Sequence, residues 1–190
     1  MDMDVYQAPK ANLVDEGPSQ VRFYVVKPSK YLILSIATMG LYSLYWFYMH
    51  WLQYRTSTGE KVWPVPRALF AIFFTHSLFN KFDLSLKDRG ADFQWSPGML
   101  ATIYVITAVV TQVVDSLSSK EIGSPYTDLL SLALLPVTIW ALYRAQGAAN
   151  IASGDPLGES NATLTIWNFI WILLGIGLWS MLLFGLFLLI

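Results

Sequence analysis

The sequence has no cysteine and little charge, since only 13% of its 190 residues are Asp, Glu, Lys or Arg. The missing cysteine excludes a disulfide-stabilised scaffold. Soluble domains carry about 25% charged residues, so the shortage of charge excludes an ordinary soluble domain. A formal net charge of −1 also offers no basic surface for nucleic acid. These absences leave an integral membrane protein, with the lipid bilayer as its first partner.

Hydrophobic residues make up 55% of the chain, and the few charges are clustered between apolar segments. Five blocks contain no charged residue: 31–54, 68–80, 93–114, 129–143 and 160–190. A helix needs about 20 apolar residues to cross a bilayer. The first, third and fifth blocks reach that length, and the fourth does so when counted from Pro125. We therefore predict an all-α polytopic transmembrane bundle of five hydrophobic helices. The second helix, at about 66–80, is short and is either spanning, interfacial or re-entrant.

Residues 1–27 are mostly polar, which predicts a disordered cytoplasmic tail ahead of one transmembrane domain at 28–190. Basic residues favour the cytoplasmic side of short loops. If the first two segments form a spanning hairpin, eight of the twelve basic residues are cytoplasmic. If neither segment crosses, eleven are cytoplasmic and only Lys120 lies outside. Both threadings place the N-terminus inside and the C-terminus outside. A four-span threading would place six basic residues of one loop outside, and it is disfavoured.

The most distinctive stretch, residues 34–48, combines small polar residues with a dense aromatic run. As one helix it would align Ser35, Thr38, Tyr42 and Tyr45 on a single face. Gly40 would let a neighbouring backbone approach closely. We interpret the helix as an interfacial anchor with a packing seam. The alternative is an aromatic ligand or lipid-headgroup site.

Thr38, Gly40, Tyr42, Tyr45 and Trp46 have the spacing of a known family motif. In these residues the chain resembles the bacterial family of domain of unknown function 4234, over about residues 31–80. The resemblance implies a small bacterial inner-membrane protein. It implies no reaction, ligand or cofactor.

Two groups of polar residues stand inside or beside the apolar blocks, where polar side chains are costly. The first group is a stripe on one face of the third helix: Tyr104, Thr107, Thr111 and Asp115. It predicts an interhelical hydrogen-bond seam that ends at water, or alternatively a proton or cation relay. The second group surrounds the loop between the last two helices: Arg144, Gln146, Asn150, Asn161 and Asn168. It predicts a clamp between those helices, or alternatively a site for an anionic headgroup or small solute.

His50 and His76 are the only histidines, and no common metal, nucleotide or nucleophile motif occurs in the sequence. We therefore predict no metal, no cofactor and no enzyme. The expected function is a membrane scaffold, accessory subunit or envelope regulator, partnered by other membrane proteins or by a second copy. The alternative is a small transporter or channel subunit acting as a homo-oligomer. A lipid-modifying enzyme using His50, His76 or Asp115 is the least supported reading.

Overall fold

The computed structural model describes residues 21–188, which form seven α-helices, a short 3₁₀ helix and no strand. In chain order the α-helices are α1 Pro28–Ala37, α2 Tyr42–Thr58, α3 Pro64–Leu69, α4 Ala71–Asp88, α5 Pro97–Ser118, α6 Tyr126–Ala152 and α7 Ile166–Leu188. The 3₁₀ helix is Glu159–Asn161. The prediction of an all-helical fold is confirmed for the described residues.

Three of these helices, α5, α6 and α7, are long and apolar enough to cross a membrane. They correspond to the third, fourth and fifth predicted segments. Pro97 opens α5 at a position where its missing N–H has no intrahelical partner to lose. Large apolar side chains point away from the protein along these helices, such as Val113 at 55% and Leu173 at 69% exposure. The predicted count of five hydrophobic helices is not confirmed.

The prediction of one continuous first helix is wrong, because the chain forms two helices, α1 and α2, with a sharp turn between them. Residues 38–41, here called the elbow, include Met39 and Gly40 in the left-handed region at φ 51° and 83°. The N–H groups of Met39 and Gly40 bond the carbonyls of Ile36 and Ser35, a Schellman arrangement that ends α1. The aligned face expected across the elbow therefore does not exist.

The two short helices fold back on each other. The ring of Tyr31 on α1 lies 6.2 Å from that of Tyr42 and 6.5 Å from that of Trp46, both on α2. Tyr31 also lies 6.3 Å from Tyr143, whereas the elbow approaches Leu135, two turns earlier on α6. The pair of helices therefore reaches only about half-way along α6 before it returns.

Helix α7 closes the other side of this hairpin. The Trp179 indole N–H donates to the carbonyl of Ile36 at 2.9 Å. A Cβ added at Gly175 would lie 1.8 Å from the carbonyl oxygen of Ala37. Only glycine lets α7 come this close to the end of α1.

The second predicted segment falls in α3 and the first half of α4. These helices together cover more residues than predicted, but neither is long and apolar enough to be a candidate span. Helix α4 runs antiparallel beside α5, since His76 bonds Thr102 at 3.1 Å and Asp83 bonds Trp95 at 3.1 Å.

The predicted tail differs from the structure in its last residues. Residues 21–27 form an extended segment that packs into the core, with Phe23, Tyr24 and Val26 buried. The sequence prediction underestimated these apolar residues because they lie next to polar ones. Residues 1–20 of the predicted tail lie outside the described residues.

Candidate functional site

A cavity of about 490 Å³ lies between the elbow, α5, α6 and one leucine of α7. We call it the elbow pocket. Helices α5 and α6 supply most of its polar lining: Tyr104, Thr111, Gln112, Asp115, Asp128, Ser131 and Thr138. The elbow supplies one wall through Met39, Gly40 and Leu41, and the start of α2 continues it through Ser43 and Leu44. The backbone turn that ends α1 is thus also what shapes this cavity.

Three members of the predicted α5 stripe meet at the elbow pocket: Tyr104, Thr111 and Asp115. Thr107 does not line it. Its hydroxyl instead donates to the Ile103 carbonyl at 2.8 Å and accepts from the Thr138 hydroxyl at 3.2 Å. The stripe therefore contains one interhelical hydrogen bond between α5 and α6, while its other members face a cavity.

The two carboxylates of the pocket have different surroundings. Asp128 accepts from the hydroxyls of Ser118 and Ser124, the latter at 2.8 Å, and so joins the end of α5 to the start of α6. The Asp115 side chain is exposed and has no hydrogen-bond or ion-pair partner within residues 21–188. No lysine, arginine or histidine lines the pocket.

A second polar site lies further along α6, where its side-chain amides hold the extended segment 21–27. Gln146 donates from Nε2 to the Tyr24 carbonyl at 2.9 Å and to Asn150 Oδ1 at 2.7 Å. Asn150 donates to the Val26 carbonyl at 2.9 Å and accepts from the Val26 N–H at 3.2 Å. These amides take the place of a neighbouring strand, because an extended backbone must bond its N–H and C=O groups when it is buried.

The other face of Gln146 connects this site to α2. Its Oε1 accepts from the Trp46 indole N–H at 2.5 Å and lies 3.3 Å from His50 Nε2. Because Oε1 can only accept, we assign the proton of the neutral imidazole to Nε2. We call Tyr24, Trp46, His50, Gln146 and Asn150 the amide network.

His50 is fully buried in this network, and its Nδ1 has no hydrogen-bond partner in the described part of the chain. The rings of Trp46 and Phe82 lie 4.1 and 4.9 Å from the imidazole. Burial lowers the pKa of His50 to about 3, despite an opposing contribution from the Gln146 hydrogen bond. The imidazole is therefore neutral at physiological pH, and its contacts are those of a packed side chain.

The five-residue cluster predicted around the last loop does not form one unit. Only Gln146 and Asn150 bond each other, while Asn161 bonds the Val25 carbonyl at 2.8 Å beside them. Arg144 donates to the Gln94 carbonyl at 2.7 Å. Asn168 accepts from the Thr165 N–H at 2.9 Å and so caps the start of α7. The prediction placed all five side chains between α6 and α7. Three of them, Gln146, Asn150 and Asn161, instead bond segment 21–27.

The residues of the family-like motif connect the two sites. Thr38 belongs to the elbow, where its hydroxyl accepts from the Tyr42 N–H at 3.0 Å. Tyr42 and Tyr24 share a hydrogen bond between their hydroxyls at 3.2 Å, and Trp46 donates to Gln146. Tyr45 stacks edge-on with Tyr24 at 5.9 Å. The motif thus shapes the elbow and holds segment 21–27.

Sequence reasoning missed Lys30 and Tyr24. Lys30 is 3% exposed and donates to Asn161 Oδ1 and the Thr163 carbonyl, both at 2.7 Å. Lys30 is the only charged residue of the apolar helix α1, and this position could have indicated a buried, hydrogen-bonded lysine. Tyr24 lay in the presumed tail, where alternating aromatic and aliphatic residues at 23–26 were the signal. Among residues 21–188 no group of three or more His, Asp or Glu could hold a metal ion.

Comparison of the chain with protein-family models, with curated proteins and with solved structures gave no match. The resemblance to the family of domain of unknown function 4234 therefore stays a prediction. The site has to be interpreted from its own geometry.

Proposed function

We propose that this is a bacterial inner-membrane protein that crosses the bilayer three times, through α5, α6 and α7, with its N-terminus inside and its C-terminus outside. The distribution of basic residues supports this threading. With α1–α4 on the inner side, eleven of the twelve lysines and arginines are cytoplasmic, and only Lys120 is outside.

In this arrangement α1 and α2 form a re-entrant pair that dips into the inner half of the bilayer. Non-helical backbone is tolerated at membrane depth only where protein covers it or where it lines a cavity. The elbow meets both conditions, because α6 and α7 contact it and the elbow pocket lies against it.

Helices α3 and α4 would lie at the inner interface. Trp63, Leu69, Phe70 and Phe73 are between 57% and 74% exposed, which is a large apolar surface for a protein exposed to water. Arg67 lies beside them, with its guanidinium 4.2 Å from the centre of the Trp51 ring. Aromatic and basic side chains together are typical of the headgroup region.

The absence of cysteine makes this threading directly testable, because any introduced cysteine is the only thiol. We expect Ser119→Cys, at the outer loop, to react with an impermeant maleimide added to intact spheroplasts. Thr56→Cys, near the end of α2, should react only after the membrane is opened. Labelling of Thr56→Cys in intact spheroplasts would instead support a spanning hairpin and contradict the re-entrant pair.

Within this membrane we propose a non-enzymatic role as a scaffold, accessory subunit or envelope regulator. The observation that supports this role is the amide network. Its polar groups bond one another and hold segment 21–27 to α2 and α6, so they serve the structure and do not form a substrate site. The outward apolar faces of α5–α7 are then the surfaces for protein partners.

A photo-crosslinking residue at Leu173, 69% exposed on α7, tests this role. A crosslink to a different membrane protein, formed in stoichiometric yield, supports the accessory role. The matched control is the same residue at Tyr126, which is 78% exposed beside the outer loop. If the residue at position 173 formed crosslinks only between copies of this chain, the accessory role would be contradicted.

A transporter or channel subunit, acting as a homo-oligomer, is the second candidate, and the elbow pocket is the observation that favours it. A polar cavity within a small bundle is a common feature of solute paths. Solute flux into proteoliposomes, lost in Asp115→Asn, would establish this function in place of the first.

A further inference from the structure

The elbow pocket is lined by a tyrosine whose side chain is almost entirely buried. Tyr104 is 6% exposed and lines the pocket, yet its hydroxyl has no hydrogen-bond partner among residues 21–188. Nearly all buried polar side chains in folded proteins have a partner, from protein or from ordered water. The Tyr104 hydroxyl is not among the fully enclosed unbonded atoms of the described residues, so it is open to the pocket and can bond to a molecule that enters it.

The charge of the lining points to the sign of that ligand. Asp115 and Asp128 both line the pocket, and none of its sixteen lining residues is basic. Asp128 is already bonded to two serine hydroxyls, whereas the Asp115 carboxylate has no partner within the described part of the chain, residues 21–188. A carboxylate beside a low-dielectric cavity attracts a cation more strongly than one in bulk water. The cationic group should therefore lie against Asp115.

The remaining lining is apolar and is provided mainly by leucines: Leu41, Leu44, Leu132, Leu135 and Leu182. An inorganic cation would keep its water and leave this wall without a complement. The pocket extends along α5 from Tyr104 to Asp115, a rise of about 16 Å at 1.5 Å per residue. Its volume of about 490 Å³ lies within the usual range of small-molecule sites.

We propose that the elbow pocket binds an amphiphilic ammonium compound, with its charged nitrogen at Asp115 and its apolar body between the elbow and α6. Tyr104, Thr111 and Gln112 provide the hydroxyl and amide groups that orient it. The ammonium group belongs either to a free alkylamine or to the headgroup of an ethanolamine lipid. The proposal is independent of whether the protein is a scaffold or a transporter.

The test uses the full chain in phosphatidylglycerol nanodiscs, with n-butylammonium as the probe and saturation-transfer NMR as the measurement. We expect saturable binding that n-butanol and butyrate, its neutral and anionic isosteres, do not compete away. Equal binding of butanol would overturn the proposal, since it would show that the pocket recognises only the apolar body. Full displacement by sodium chloride at equal concentration would also overturn it, in favour of an inorganic cation.

Two conservative variants separate the pocket from non-specific binding. Asp115→Asn keeps the shape and removes the charge, so we expect the dissociation constant to rise about tenfold. Tyr104→Phe removes only the hydroxyl and should raise it about threefold. Asp92→Asn removes an exposed carboxylate before the opposite end of α5 and should leave binding unchanged. Equal affinities of the Asp115→Asn and Asp92→Asn variants would contradict the site, provided that all melt like the wild type.

The source of the ammonium group is resolved by changing the lipid. If an ethanolamine lipid occupies the pocket, adding phosphatidylethanolamine to the nanodiscs will weaken binding of n-butylammonium in the wild type, and native mass spectrometry will detect that lipid retained. The Asp115→Asn variant should retain less of it. If the natural ligand is a free amine, the added lipid will leave the probe's affinity unchanged.

Discussion

The amide network and the elbow pocket both use side chains of α6, yet their polar groups are used differently. In the amide network Gln146 bonds a backbone carbonyl, an indole, an imidazole and another amide, and is 1% exposed. In the pocket Tyr104 and Asp115 have no side-chain hydrogen-bond partner among residues 21–188. Fully bonded polar groups make a region rigid, whereas unbonded ones leave it free to bind. We therefore expect the amide network to act as a structural joint and the elbow pocket to be the binding site that we propose.

The strongest test of this contrast is the same substitution made in both regions. Gln146→Leu would remove three buried hydrogen bonds, those to the Tyr24 carbonyl, the Trp46 indole and Asn150. We expect the free energy of unfolding to fall by about 3 kcal/mol or more. Gln112→Leu, at the exposed edge of the pocket, should change it by less than about 0.5 kcal/mol. Denaturation in detergent measures both, and equal effects would remove the distinction between joint and receptor.

Glycine substitutions on α7 test how the elbow is held in place. A Cβ at Gly175 would collide with the carbonyl of Ala37, so Gly175→Ala must push α7 away from α1. We expect the free energy of unfolding to fall by about 1–3 kcal/mol and the shape of the elbow pocket to change. Gly177→Ala is the matched control, because no atom lies within 4 Å of the added Cβ. Thermal melting of the two variants gives the comparison. If Gly175→Ala melts like Gly177→Ala, α7 does not support the elbow.

The buried imidazole predicts a pH dependence in the amide network. Burial lowers the pKa of His50 to about 3, from the ordinary value of 6.5 that it regains on unfolding. Its neutral form thus contributes stability that is complete above pH 6.5 and is lost progressively as the pH falls towards 3. We expect the melting temperature of the wild type to fall over this window more steeply than that of His50→Phe.

The control for this prediction is His76→Phe, which changes an exposed histidine on α4. It should retain the acid sensitivity of the wild type. If His50→Phe and His76→Phe have the same pH profile, the titration of His50 does not govern acid stability.

The smallest effect on stability is expected in the pocket itself. Asp115 is exposed and unpaired, so Asp115→Asn should change the free energy of unfolding by less than about 0.5 kcal/mol while it weakens binding of n-butylammonium. Melting curves and the binding titration on the same preparation check both parts. A large loss of stability would show that Asp115 belongs to the structural framework.

Much of the fold could be predicted from the distribution of charge, because α5, α6 and α7 each coincide with an apolar stretch that contains few or no charges. The α5 stripe could be found from helical periodicity, which brings Tyr104, Thr111 and Asp115 to one cavity. Arg144 and Asn168 were grouped wrongly with Gln146. Proximity along the chain does not show which group a polar side chain will bond. The sequence prediction also did not place segment 21–27 against α6.

What the sequence determined by itself is the three helices long and apolar enough to cross a membrane, since they follow from composition and length. Only the tertiary structure decided the elbow. A run of 24 uncharged residues suits one spanning helix and two half-length helices equally well. The protein forms two shorter helices because the chain makes a left-handed turn at Met39 and Gly40 and because α7 packs closely against that turn at Gly175. The turn is local, but the contact at Gly175 joins residues far apart in the sequence, so the bend that it stabilises could not be predicted from the uncharged run alone.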